Sequence, residues 1–107
     1  MDAFGLKYML RCVCGNEIKE ADDLEFSNVA DGVFKARCKN RFCRLEEVLE
    51  IFLTDKKAEV RFSAMFSDYN LLTMGSDVLE KRLKDFGNRI VERVAGRKGL
   101  KTRVTHR

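Results

Sequence analysis

Arg11-Cys12-Val13-Cys14-Gly15-Asn16 and Arg37-Cys38-Lys39-Asn40-Arg41-Phe42-Cys43-Arg44 hold all four cysteines of the chain. The stretch between them decides how they meet. Leu24, Phe26 and Val29 lead into Ala30-Asp31-Gly32, and Val33, Phe34 and Ala36 lead back to Cys38. A glycine after an aspartate supplies the positive φ of a tight turn, so the stretch reads as one hairpin. That hairpin returns Cys38 and Cys43 to the neighbourhood of Cys12 and Cys14. Four thiolates apposed in this way suit a tetrahedral zinc site of the ribbon type. Gly15 fits, because the backbone must turn sharply around the ion.

The spacing is irregular for such a site. Cys-x-Cys is one residue shorter than the usual Cys-x-x-Cys, and four residues separate Cys38 from Cys43. Disulfides, free thiols and a redox or iron centre stay open as alternatives to structural zinc. Four cysteine ligands leave no open coordination position, so the metal reads as structural rather than catalytic.

Outward from the cysteines, 107 residues make one domain with a modest core. Apolar residues supply 45% and charged residues 36%, an ordinary globular balance. No run is long enough to span a bilayer, and Asp2, Lys7 and Arg11 interrupt any signal-like segment. An intracellular location is therefore expected, where paired cysteines favour metal over disulfides. Residues 1–55 carry eight Lys/Arg against eleven Asp/Glu, and residues 56–107 carry thirteen against six. No acid follows Glu92. This gradient suits a phosphate-bearing partner, or equally a solvated helix face and basic tail.

Six further elements are predicted. Residues 4–10 form a short apolar strand, and residues 48–53 a second, apolar on both faces except at Glu50. Residues 59–66 form a third, with Val60, Phe62, Ala64 and Phe66 alternating against Arg61, Ser63 and Met65. Ser67 or Asp68 then caps a short helix that Gly75 ends. Ser76 or Asp77 caps a longer one, whose stripe is Leu79, Leu83, Phe86, Ile90 and Val94. Gly87 is expected to bend or divide it, and Gly96 to end it. Residues 99–105 alternate again and read as a final basic strand. His106, the only histidine, reads as a tail residue. The acidic pairs Asp22-Asp23 and Glu46-Glu47 have no catalytic partner at a telling spacing, and no enzyme is expected.

In its order of strand, ribbon, hairpin, helix and basic strand, the chain resembles the C-terminal fold of the replication protein A large subunit and its archaeal relatives. The resemblance rests on residues 50–55 (Glu-Ile-Phe-Leu-Thr-Asp), residues 60–66 (Val-Arg-Phe-Ser-Ala-Met-Phe), Leu71-Leu72-Thr73-Met74-Gly75 and residues 90–97. It implies a mainly β fold with α: an oligonucleotide-binding (OB-fold-like) barrel over residues 1–107. A zinc ribbon (residues 12–43) would lie between the first and second strands, and a helical segment between the third and fourth. On this reading the fifth barrel strand is missing from the chain.

The resemblance also implies a single-stranded DNA-binding module of DNA replication, repair or recombination, in the nucleus of a eukaryote or the nucleoid of an archaeon. Partner subunits of a replication complex go with it, and no membrane. Its structural zinc would be held by Cys12, Cys14, Cys38 and Cys43. The expected DNA contacts are Phe52, Arg61 and Phe62 on the strands, with Lys56 and Lys57 at their turn. Lys39, Arg41, Phe42 and Arg44 would serve at the ribbon. Phe62 shares a face with Val60 and has core as its alternative reading. A subunit-assembly module and a transcription-type zinc ribbon are the competing functions.

Overall fold

The computed structural model describes residues 9–106. The strand expected at residues 4–10 thus lies outside the described residues, save for Met9 and Leu10. Five strands, β1 (Leu24–Ala30), β2 (Val33–Cys38), β3 (Leu49–Leu53), β4 (Lys57–Phe62) and β5 (Lys101–His106), make one sheet in the order β1-β2-β3-β4-β5. One long helix, α1 (Ala64–Ala95), links β4 to β5, and a 3-10 turn at Ala21–Asp23 precedes β1. No helix of the described residues is long and apolar enough to cross a membrane.

The first four strands form an antiparallel meander, whereas β5 runs parallel to β4. A parallel pair needs a crossover, and α1 is that crossover. The sheet is mainly β with one helix, as expected, but it is not closed into a barrel: β1 and β5 are its two edges. The count of five includes both strands of the ribbon hairpin, and the last, β5, is the basic strand expected at residues 99–105. The predicted ribbon hairpin supplies β1 and β2, and β2 pairs directly with β3 from Val33↔Phe52 to Ala36↔Leu49. The ribbon is therefore no separate insertion, because its hairpin is the flank of the main sheet.

Local chemistry sets the turns. Gly32 has φ +70°, and a Cβ there would lie 2.5 Å from the Leu53 carbonyl oxygen, so the β1–β2 turn requires glycine. β1 slips register between Asn28 and Ala30, where the Asn28 Nδ2 donates to the carbonyls of Ala30 and Val33. Such a bulge blunts an otherwise exposed edge strand.

β4 stops at Phe62, earlier than its alternating pattern predicts. Ser63 turns the chain: its Oγ accepts the Phe66 N–H at 3.2 Å and caps α1. Phe66 is thus helical, not a strand residue, and the caps expected at Ser67 or Asp68 are not used. Phe66 still faces the core, stacked on Phe62 at 5.8 Å, with Phe86 6.3 Å from Phe62. Gly75 (φ +77°, ψ 164°) breaks α1 where a stop was expected, and Gly96 (φ +71°) is the left-handed C-cap.

The C-terminal half of α1 buries Leu79, Leu83, Phe86 and Ile90 against β4 and β5. Each such side chain contributes about 1.5–3 kcal/mol by leaving water. Gly87 neither bends nor divides this half. It lets the helix approach β5 closely, since a Cβ there would stand 2.8 Å from Val104 Cγ2. Nor is His106 a tail residue; it pairs with Phe62 at the end of β5.

Gly87→Val tests this contact. Overpacking against Val104 and β4 is expected to lower stability by about 2 kcal/mol despite the gain in helix propensity. Urea unfolding reads the loss, and an unchanged midpoint would show that α1 does not press on β5.

Candidate functional site

The four cysteines converge between two short segments in which Leu10, Cys12, Ile18, Cys38 and Cys43 are buried. Residues 10–18 fold back on themselves: Ile18 N–H donates to the Leu10 carbonyl at 2.9 Å, and Arg11 bridges Glu17. The Cys12 N–H donates to the Asn16 carbonyl and the Gly15 N–H to the Cys12 carbonyl, both at 2.8 Å. Gly15, at φ +93°, makes that tight loop possible. The second pair sits where β2 ends. Asn40 turns the chain, its Oδ1 accepting from the Phe42 N–H and its carbonyl from the Cys43 N–H.

The resulting four Sγ atoms lie within 4.8 Å of one another, with Cys12 to Cys43 at 3.4 Å and Cys14 to Cys38 at 3.6 Å. Tetrahedral thiolates 2.3 Å from an ion would be about 3.8 Å apart, inside that range. The surroundings fit thiolates too. The N–H groups of Cys14, Asn16 and Asn40 point at the sulfurs of Cys12, Cys14 and Cys38, and the Asn16 Nδ2 reaches Cys38 Sγ at 3.5 Å. Dipoles aimed at sulfur stabilise negative charge. The cluster can therefore hold a metal ion.

Without an ion, burial pushes the Cys12 and Cys38 thiols above their ordinary value. Burial acts the same way on the more exposed Cys14, but hydrogen bonds from the Asn16 N–H and Asn40 side chain outweigh it, giving about 7.

Asn70 ties this centre to the helix. Its Oδ1 accepts the Arg11 N–H and its Nδ2 donates to the Arg11 carbonyl, both at 2.8 Å, beside Cys12. Nδ2 also reaches the Phe66 carbonyl. Asn70 is 1% exposed, so leaving these groups unpaired would cost about 2–3 kcal/mol. Nothing in the spacing of the sequence marks this contact, because it joins residues 59 positions apart.

The expected nucleic-acid residues separate into groups. Phe62 is 1% exposed and belongs to the core, inaccessible to a ligand. Lys39, Arg41, Phe42 and Arg44 are all exposed at the cysteine end of the sheet, Phe42 by 83%. Lys56 and Lys57 lie at the β3–β4 turn, the opposite end, about 17 Å away by strand rise. Phe52, Lys57 and Arg61 share the sheet face that α1 does not cover.

That open face holds a composite not expressed by any one of them. The Arg61 guanidinium lies 4.6 Å from the centroid of the Phe52 ring. Glu59 accepts from Arg61 Nε and Nη2 at 3.1 and 3.2 Å, fixing the guanidinium on the ring. The hydrogen bond from Arg61 holds the Glu59 carboxyl below its usual value. Lys101 and Arg103 on β5, opposite Lys57 and Glu59, extend the basic face. Phe52, Lys57, Lys101 and Arg103 line a shallow depression of about 450 Å³ there. The parallel pairing of β4 and β5 assembles this patch, and alternation within each strand reveals only half of it.

No protein-family model, curated protein or solved structure matches this chain.

Zinc uptake should expel protons, since Cys12 and Cys38 are thiols at neutral pH in the metal-free chain. Apparent zinc affinity is expected to fall as pH is lowered, and more steeply below about 7, where Cys14 protonates as well. Competition with a chromophoric chelator across pH reads this. Cys38→Ser should abolish tight binding and lose the sheet signal in circular dichroism; retention of both would remove the metal from the fold.

Proposed function

We propose that this chain is an intracellular, non-enzymatic module that binds single-stranded DNA and is stapled by structural zinc at Cys12, Cys14, Cys38 and Cys43. The observation that carries the reading is the Glu59–Arg61–Phe52 stack on the uncovered sheet face. A guanidinium held over an aromatic ring by a carboxylate offers a platform on which a base can stack, and bases stack on arginine planes as they do on aromatics. Lys57, Lys101 and Arg103 stand beside it to receive phosphates. Glu59 orients Arg61 and takes no part in phosphate contact.

Zinc is favoured among metals because four thiolates form a closed soft-ligand set without an open position. The kinship with replication protein A belongs to this proposal as a likeness of strategy: a zinc-stapled β sheet with a basic aromatic face. The barrel layout of that family is not needed for it. At the metal end Lys39, Arg41, Phe42 and Arg44 would extend the contact, while Lys56 is a solvated turn residue at its border.

A labelled oligothymidine should bind the zinc-loaded chain, and log K should fall with log salt at a slope of about −2 to −3, as for three or four phosphates. Arg61→Ala and Phe52→Ala are each expected to weaken binding about tenfold. Anisotropy titration measures both. Absent binding at low salt, or binding indifferent to salt, would sink the proposal.

A second reading, subunit assembly, is favoured by one observation. Met65, Tyr69 and Leu72 recur at helical spacing on the outer side of α1, and Leu72 is 86% exposed. If this stripe joins subunits, light scattering should detect self-association or a partner complex that Leu72→Asp removes. A strictly monomeric chain unaffected by the substitution would count against it.

A further inference from the structure

A second aromatic surface lies on the other side of the sheet. α1 packs over β4 and β5, so the inner face of the β1–β2 hairpin projects past it. There Leu24, Ala36 and Cys38 are buried, but Phe26 and Phe34 are only partly so. Phe26 is paired with Ala36, and Phe34 with Asn28, one step along the same face, so the two rings are diagonal neighbours. Together with Val94 of α1 they line an open groove of about 340 Å³, rimmed by Lys39, Arg93 and Asp22.

The rim draws on the cysteine cluster and on α1. Lys39 directly follows the ligand Cys38, and Arg93 is held by Asp22 at 2.7 Å. That ion pair employs one guanidinium nitrogen, and among the described residues the other N–H donors of Arg93 have no partner. The groove thus combines two aromatic rings with two cations, one of them paired with Asp22, which leaves its described lining a formal charge of +1. Lys35 and Arg37 on the open face lead along β2 to Lys39, so a basic line turns the metal end of the sheet toward the groove.

We propose that this groove is a second nucleotide subsite, in which a base of the bound strand stacks on Phe34 and Phe26 while its phosphate pairs with Lys39 and Arg93. This rests on the reading of the chain as a single-strand binder and extends the bound strand from the open face around the metal end. The metal centre then positions a contact residue directly, because Lys39 is anchored between Cys38 and the Asn40 turn.

The sequence contains no tryptophan, so Phe34→Trp in the zinc-loaded full chain gives a unique reporter. Its fluorescence should be quenched by an oligothymidine with the same Kd as anisotropy yields. Phe34→Leu, which keeps the apolar packing but removes the stacking ring, should weaken binding about fivefold or more, and Phe34→Tyr should not. Should the leucine variant fail to fold, the tryptophan and tyrosine variants decide the matter. Unquenched fluorescence at saturation, with the leucine variant within twofold of the unchanged chain and Arg61→Ala still weakening binding, overturns the groove and leaves the open-face site standing. No binding by the unchanged chain at low salt overturns both.

Discussion

The closure of four sulfurs on one point is the constraint on which the rest depends. Residues 10–18 and 38–43 are short, bury little beyond Leu10, Ile18 and the cysteines themselves, and are held by short turns. Such segments cannot bury enough surface to offset their conformational entropy. An ion at the centre would join them, and three N–H groups directed at sulfur prepare the pocket for that negative charge. Because Cys38 ends β2, the same point fixes the end of the sheet.

Asn70 carries that order into the helix. One amide reproduces a strand-like pair with Arg11 and simultaneously satisfies the Phe66 carbonyl. The first half of α1 is thereby registered against the cysteine loop, and the Phe62–Phe66 stack registers it against β4. The break at Gly75 frees the second half to lie along β4 and β5, where Gly87 admits Val104. Parallel pairing of β5 follows, since a strand reached through a crossover helix returns in the same direction. An open sheet covered on one face is the consequence. The uncovered face is where charges and Phe52 gather.

Much of this was legible in the residues. The cysteine pairs flank a hairpin that Asp31-Gly32 announces, and all four do converge. A short apolar run marked β3, alternation marked β4 and β5, and the Leu79-to-Val94 stripe marked the buried face of α1. The end of β4 was misread for a definite reason. Ala64 and Phe66 continue the period of two, yet Ser63 caps a helix that presents Phe66 to the same core. A pattern of burial cannot tell which backbone delivers a side chain to the core. Gly87 was likewise read through helix propensity, whereas its place is set by Val104, 17 positions later.

The sequence by itself determined most elements and the pairing of the cysteines, because turn chemistry, capping residues and periodicity act over a few neighbouring positions. It also determined the surplus of basic residues in the second half. Only the tertiary structure decided that the hairpin joins the main sheet, that the sheet stays open, and that β5 lies parallel beside β4. Those outcomes depend on contacts between distant residues, Asn70 with Arg11 and Gly87 with Val104, whose partners share no local signal. For the same reason Glu59, Lys101 and Arg103 stand out only once β4 and β5 are side by side.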